Sequence, residues 1–114
     1  MAFTPGTLNL ASTYITTLVT HVSIHSANPG TTGTGESTAA RQPVTINVDA
    51  NGVMTLAAAR SFTGGAANGG ATWIGLWSAS TAGTFRGGFQ ITTGDTTFNA
   101  AGEYNLTAMT VTPS

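Results

Sequence analysis

The sequence predicts an all-β fold, an antiparallel β-sandwich of jelly-roll-like or Ig-like kind, with about six to eight strands and a short N-terminal helix or arm. Three observations predict it. Short apolar runs with two-fold alternation recur at intervals of about 8–12 residues. Glycine- and asparagine-rich turn signals separate them, among them Asn28-Pro29-Gly30 and Asn51-Gly52. Beyond the N-terminus, no stretch carries a long helical period.

The elements follow in order. Leu8, Ala11, Ile15, Leu18 and Val19 are spaced for one helical stripe. Thr13, Thr16 and Thr17 lower helix propensity, so helix and strand both stay open for this segment. Residues 1–20 form an N-terminal segment that packs on the sandwich or on a neighbouring subunit, and residues 21–114 form one domain. From Thr20 the period becomes two-fold, with Val22 and Ile24 facing one way and His21, Ser23 and His25 the other. Residues Gly30 to Ala40 have little to bury and read as an arm that is either mobile or ordered only by a partner. Pro43 to Val48 reads as a strand, Asn51-Gly52 as its hairpin turn and Val53 to Ala59 as the return strand. Gly64 to Gly70 is a surface excursion. Thr72 to Ala79 is the most apolar run and the expected central strand, with Trp73, Gly75 and Trp77 on one face. Gly75 either leaves a gap for a neighbouring aromatic or marks a bulge. Thr84 to Ile91 and Tyr104 to Val111 complete the set.

Composition narrows the function. Only 6% of the 114 residues are charged, with three arginines, four acids and a net charge of −1. Average proteins carry about 25%. Such a chain lacks the basic footprint that nucleic-acid binding needs. No apolar window approaches a membrane span, and no basic residue precedes an apolar stretch at the N-terminus, so neither a span nor a signal peptide is expected. Absence of cysteine leaves no disulfide or thiolate metal site. Low charge removes repulsion between copies, while a threonine-rich β surface offers hydroxyls and strand edges, which suits assembly.

The reactive side chains are few. His21 and His25 could share a metal, but no third ligand lies close in sequence, and a structural or surface role is the preferred reading. Glu36, Asp49, Asp95 and Glu103 each fall in or beside a turn. No hydrolase, phosphate-loop or calcium-loop motif is present, so no catalytic residue, cofactor or metal is assigned. Arg41, Arg60 and Arg86 flank strands and read either as intermolecular clamps or as partners of Asp49, Asp95 or Glu103. Trp73 and Trp77 are either core or a stacking platform for a host-surface glycan.

The segment from His21 to Val48 resembles a family of small tailed-phage virion proteins described as tail fibre-like. The residues that carry the resemblance are Ile24-His25-Ser26-Ala27-Asn28-Pro29-Gly30, Glu36 and Ala40-Arg41-Gln42-Pro43-Val44. It continues through Ala50-Asn51-Gly52, Trp73-Ile74-Gly75-Leu76-Trp77 and Phe98-Asn99-Ala100-Ala101-Gly102-Glu103. The resemblance implies a non-enzymatic β-sandwich component of a virion, made in the host cytoplasm and assembled in symmetric copies with other virion proteins. Tail fibre or tail tip is the expected location and head decoration the alternative. Glu36 and Arg41 are implied as loop-ordering or interface residues, to which Arg60 and Arg86 add as interface candidates from their placement.

Overall fold

A computed structural model describes residues 3–92 and 94–112 as one helix and nine short strands. The N-terminal segment is helical. Helix α1 spans Pro5–Leu18 and is started by Thr4, whose Oγ1 accepts from the Thr7 N–H at 3.3 Å, with Pro5 in the first turn. Proline there loses no hydrogen bond, and its fixed φ suits the helix. This cap and proline outweigh the threonines further along, whose hydroxyls at 16 and 17 donate to the carbonyls of Thr13 and Tyr14 within the helix.

The strands are β1 (His21–His25), β2 (Gln42–Pro43), β3 (Ile46–Val48), β4 (Met54–Leu56), β5 (Arg60–Phe62), β6 (Trp73–Trp77), β7 (Phe85–Gln90), β8 (Tyr104–Leu106) and β9 (Thr110–Val111). They form a four-stranded sheet in the order β2-β1-β6-β7, a three-stranded sheet β3-β4-β9 and a two-stranded sheet β5-β8. Every strand pair among the described residues is antiparallel. The result is a small domain made mostly of antiparallel sheet with one short helix. As expected, the Trp73–Trp77 strand is internal, flanked by β1 and β7.

Strand lengths differ from the expectation for one reason: the chain changes sheets in mid-run. Pro43 to Val48 was one alternating stretch in sequence, yet Gln42–Pro43 pairs with β1 while Ile46–Val48 pairs with β4. The return strand from Val53 to Ala59 is a strand only over Met54–Leu56, and β5 then joins a different sheet. Tyr104 to Val111 likewise divides, its first part on β5 and its last on β4. These crossings draw the three sheets together. Val22, Ile24, Ile74 and Leu76 of the large sheet share one core with Phe62, Tyr104 and Leu106, and with Ile46 and Leu56 at its margin.

The helix docks on the β3–β4 hairpin. Buried Ser12 donates to the Gly52 carbonyl at 2.6 Å, and Asn9 Nδ2 donates to the Asp49 carbonyl at 2.7 Å. Asp49 Oδ1 in turn accepts the N–H groups of Asn51 and Val53, which fixes the turn. Gly52 is required twice over. Its φ is +82°, and a Cβ there would lie 2.5 Å from the Leu8 carbonyl oxygen. Gly52→Ala is therefore expected to destabilise by more than about 2 kcal/mol, from left-handed strain plus displacement of the helix. Gly30→Ala, at φ +62° with open space around the new methyl, is expected to cost only about 1 kcal/mol. Urea denaturation of the two variants checks this, and equal losses would show that the helix contact contributes nothing.

Candidate functional site

The large sheet is buried on both faces, and only one of them meets the shared core. On the other face register places His21, Ser23 and His25 beside Trp77, Gly75 and Trp73. Gly75 has no side chain because the space is full: a Cβ there would collide with Ser23 Oγ and His25 Nε2. What fills the gap is the Ser23 hydroxyl together with the ring edges of His25 and Trp77. The bulge lies one step further on, between Leu76 and Trp77, where Arg86 is the extra residue on β7.

Hydrogen-bond accounting fixes the protons shared by Ser23, His25 and Trp77. The Thr34 carbonyl, 2.8 Å from His25 Nδ1, can only accept, so Nδ1 carries the proton and neutral Nε2 is the acceptor. Ser23 Oγ, 2.6 Å from Nε2, therefore donates to it and accepts the Trp77 indole N–H at 2.7 Å. The chain runs from Trp77 through Ser23 and His25 to Thr34, with no proton left over. Ser23 and His25 have the spacing of a nucleophile and its base. Both have 0% exposure, so in this conformation no substrate reaches the hydroxyl.

The segment read as a mobile arm is the cover over this face. Pro29 is buried against Gly88, and Gly33 lies against the edge of the Trp77 ring, where a Cβ would be 2.6 Å away. Ser37 N–H donates to the Ile24 carbonyl at 2.8 Å, and Ala39 is buried. These partners leave no local pattern, because glycine and threonine bring the loop down through backbone contacts rather than side-chain area.

Arg41 locks the cover. Its Nε and Nη2 meet Glu36 Oε2 and Oε1 at 2.9 and 3.0 Å, and its Nη1 donates to the carbonyls of Ala79 and Ala82. The guanidinium carbon stands 3.5 Å from the centroid of Trp77, which also meets Phe85 in an edge arrangement at a 5.1 Å centroid distance. Glu36 and Arg41 are thus loop-ordering residues within one chain, and Arg41 takes Glu36 rather than Asp49, Asp95 or Glu103. Trp77 is core, leaving no open ring for a glycan. Trp73 is half-buried at the far end of the strand. Arg86 is exposed, and Arg60 is half-buried with a buried Nε that has no hydrogen-bond partner among the described residues.

The histidines do not converge on a metal: His21 Nδ1 bonds Thr20 Oγ1, both His25 nitrogens are used, and no cluster of three ligating residues occurs among the described residues. Two of the remaining acids gather elsewhere. Asp95 and Glu103 border an open concavity of about 680 Å³ together with Ser61, Asn68, Asn99 and Asn105. Asn99 Oδ1 accepts the N–H groups of Ala101 and Glu103, while its Nδ2 donates to Glu103 Oε1 at 3.3 Å. Tyr104 donates its hydroxyl to the Asp95 carbonyl at 2.6 Å, and burial, reinforced by the Asp95 charge, pushes its pKa up. Sequence reading missed the three asparagines and Ser61, whose meeting depends on the β5–β8 register.

The fold defined by these sheets is a mostly β domain with one helix. Comparison with family models, curated proteins and solved structures finds no match to this chain. No helix among the described residues is long and apolar enough to cross a membrane.

Two predictions follow from the covered face. Burial lowers the pKa of His25, against a smaller opposing effect of its bond to Thr34. The unfolded chain takes up a proton below about pH 6.5 that the native chain refuses, so stability falls as pH drops from there until native His25 titrates, by at most about 1.4 kcal/mol per pH unit. Urea midpoints at neutral and mildly acidic pH measure this, and an unchanged midpoint would contradict a buried neutral imidazole. Arg41→Ala removes the stack and the bidentate pair together, and proteinase K is expected to nick residues 30–40 about tenfold faster than in the parent. Equal protection would assign the loop's order to its backbone bonds alone.

Proposed function

We propose that this chain is a non-enzymatic structural component of a tailed-bacteriophage virion, tail fibre-like or at the tail tip, that works in symmetric copies and requires no cofactor. Its partners are other copies of itself and other virion proteins. It is made in the host cytoplasm and resides in the particle. We also propose that its sheets stack as a sandwich, a reading supported by the core shared between the large sheet and the two smaller ones.

The observation that carries the reading is the outer face of α1. Leu10 and Tyr14 are 71% and 65% exposed and with Thr7 and Thr17 form a stripe along α1 at alternating spacings of three and four, with Phe3, 54% exposed, just before the N-cap. That spacing is the seam of one helix packing along another. The helix carries no charged residue, so a second copy meets no like-charge repulsion. Its other side already holds Ser12 against the hairpin, which leaves this stripe free for a neighbour. Three such side chains bury roughly 300–450 Å² per copy, well under the ~800 Å² of a standard interface, so one helix pair is weak and a ring or bundle of several copies is favoured.

The resemblance to tail fibre-like proteins supports the particle assignment in a specific way. Four of its residues, Pro29, Glu36, Arg41 and Trp77, help to close the second face of the sheet. They are structural requirements of the fold rather than reactive groups.

Light scattering on the purified chain tests the assembly. The parent is expected as a closed oligomer and Leu10→Ser/Tyr14→Ser as a monomer with unchanged circular dichroism. A monomeric parent, or an oligomer indifferent to both substitutions, would remove the helix from the argument. Antibody against the chain is expected to label the tails of purified particles. Label confined to heads would move the protein to capsid decoration, and unlabelled particles would sink the virion reading.

A further inference from the structure

We propose that the concavity between β5–β8 and the loops around Asn68 and Asn99 binds a neutral saccharide, a single hexose or the terminal hexose of a glycan. The inference is independent of the virion assignment and of the helix stripe, since it concerns different elements of the fold.

Its volume of about 680 Å³ falls in the range of small-ligand sites. The polar groups arrive there by register. Ser61 and Asn105 are directly paired across β5 and β8, alternate with core-facing Phe62, Tyr104 and Leu106, and so stand side by side on the outer face of the sheet. Asn68 comes from the facing loop, in the left-handed region at φ +57°, held by its N–H on the Asn99 carbonyl at 3.1 Å. Asn99 orients one oxygen of Glu103. Tyr104, through its bond to the Asp95 backbone, ties the segment that carries Asp95 to β8. The rim is thereby fixed before any ligand arrives, which reduces the ordering cost of binding.

The chemistry of the rim selects the ligand. Carboxylates accept hydroxyl protons, and a carboxamide both donates and accepts, so adjacent hydroxyls on a sugar ring can each be matched in one plane. Among the described residues, Ser61, Asn68, Asn105 and the Asp95 carboxylate make no side-chain hydrogen bond within the protein, whereas Asn99 and Asp49 are consumed by their turns. No lysine or arginine lines the space, and Asp95 and Glu103 repel phosphate, sulfate and uronate. A neutral polyol matches the mix of hydroxyl, carboxamide and carboxylate around the rim without needing a charge of its own. Phe98 and Tyr104, packed edge to face with a 5.9 Å centroid distance, form the floor but are too buried to offer a ring face. The site therefore lacks a stacking contribution, and millimolar affinity is expected from hydrogen bonds that replace water.

The test is an amide-detected NMR titration of the full chain with glucose, galactose, mannose, rhamnose and N-acetylglucosamine, and with glucuronate as the charged control. At least one neutral sugar is expected to give saturable shifts of the Asn68 and Asn105 side-chain amides, with glucuronate giving none. Asp95→Asn and Asn105→Ala, both at exposed positions, are each expected to weaken the effect about tenfold without altering the rest of the spectrum. No saturable shift with any neutral sugar, shifts centred on Trp73, or indifference to both substitutions would overturn the proposal. Equal binding of glucuronate would overturn its neutral-ligand chemistry.

Discussion

Trp77 is where the fold closes. A four-stranded sheet in a chain with one helix has more apolar face than its core can cover, and the second face must be shielded from water by a loop. A loop brings backbone polar groups with it, and each must be satisfied as it is buried. The Trp77 indole N–H starts the chain of bonds that ends on the Thr34 carbonyl, its ring carries Arg41, and its edge receives the backbone at Gly33. Cover and sheet are thus joined by complementary donors and acceptors rather than by a second hydrophobic layer. That is why Ser23 and His25 are buried beside tryptophan in the most apolar part of the molecule.

Arg41 extends the same constraint to the next turn. Its bonds to the Ala79 and Ala82 carbonyls hold the β6–β7 connection, in which Ala82 sits at φ +52°. A non-glycine residue in that region costs energy and persists where its surroundings hold it. One side chain therefore fixes the loop through Glu36, the sheet through Trp77 and the turn through two carbonyls. In a chain with three cations, this is an intensive use of one of them.

What was legible in sequence was whatever depends on local pattern. The alternation of Val22 and Ile24 against Ser23 and His25, the Asn51-Gly52 hairpin and the internal position of Trp73 to Trp77 all follow from a two-residue period and turn chemistry. What was illegible depends on partners distant in the chain. The split of Pro43 to Val48 arises because successive residues pair with β1 and β4, which no local period records. Arg41 bonds both a carboxylate five residues away and carbonyls at Ala79 and Ala82, and only the first was within reach of a local reading. The helix start was a different case: Thr4-Pro5 is a local signal, overlooked because the apolar stripe begins at Leu8. The same stripe drew attention from Phe3, Leu10 and Tyr14, whose spacing was equally visible. The site at Ser61 and Asn105 needed the β5–β8 register, and so lay beyond sequence altogether.

The scarcity of charge gives these features a common logic. Three of the four carboxylates are placed where they shape a turn or a loop: Asp49 in the hairpin, Glu36 on Arg41 and Glu103 beside Asn99. The remaining surface is rich in hydroxyls, amides and glycine, and it repels neither another copy nor an uncharged ligand. On such a surface each contact is individually weak. The outer stripe of α1 buries little per copy, and a rim of amides without an aromatic platform competes with water on nearly equal terms. Weak sites become effective when they are repeated on one particle, because the second and later contacts form at a high effective concentration. In the proposed assembly, repetition and low charge would serve each other: few charges would let copies associate, and association would compensate for the affinity that few charges leave out.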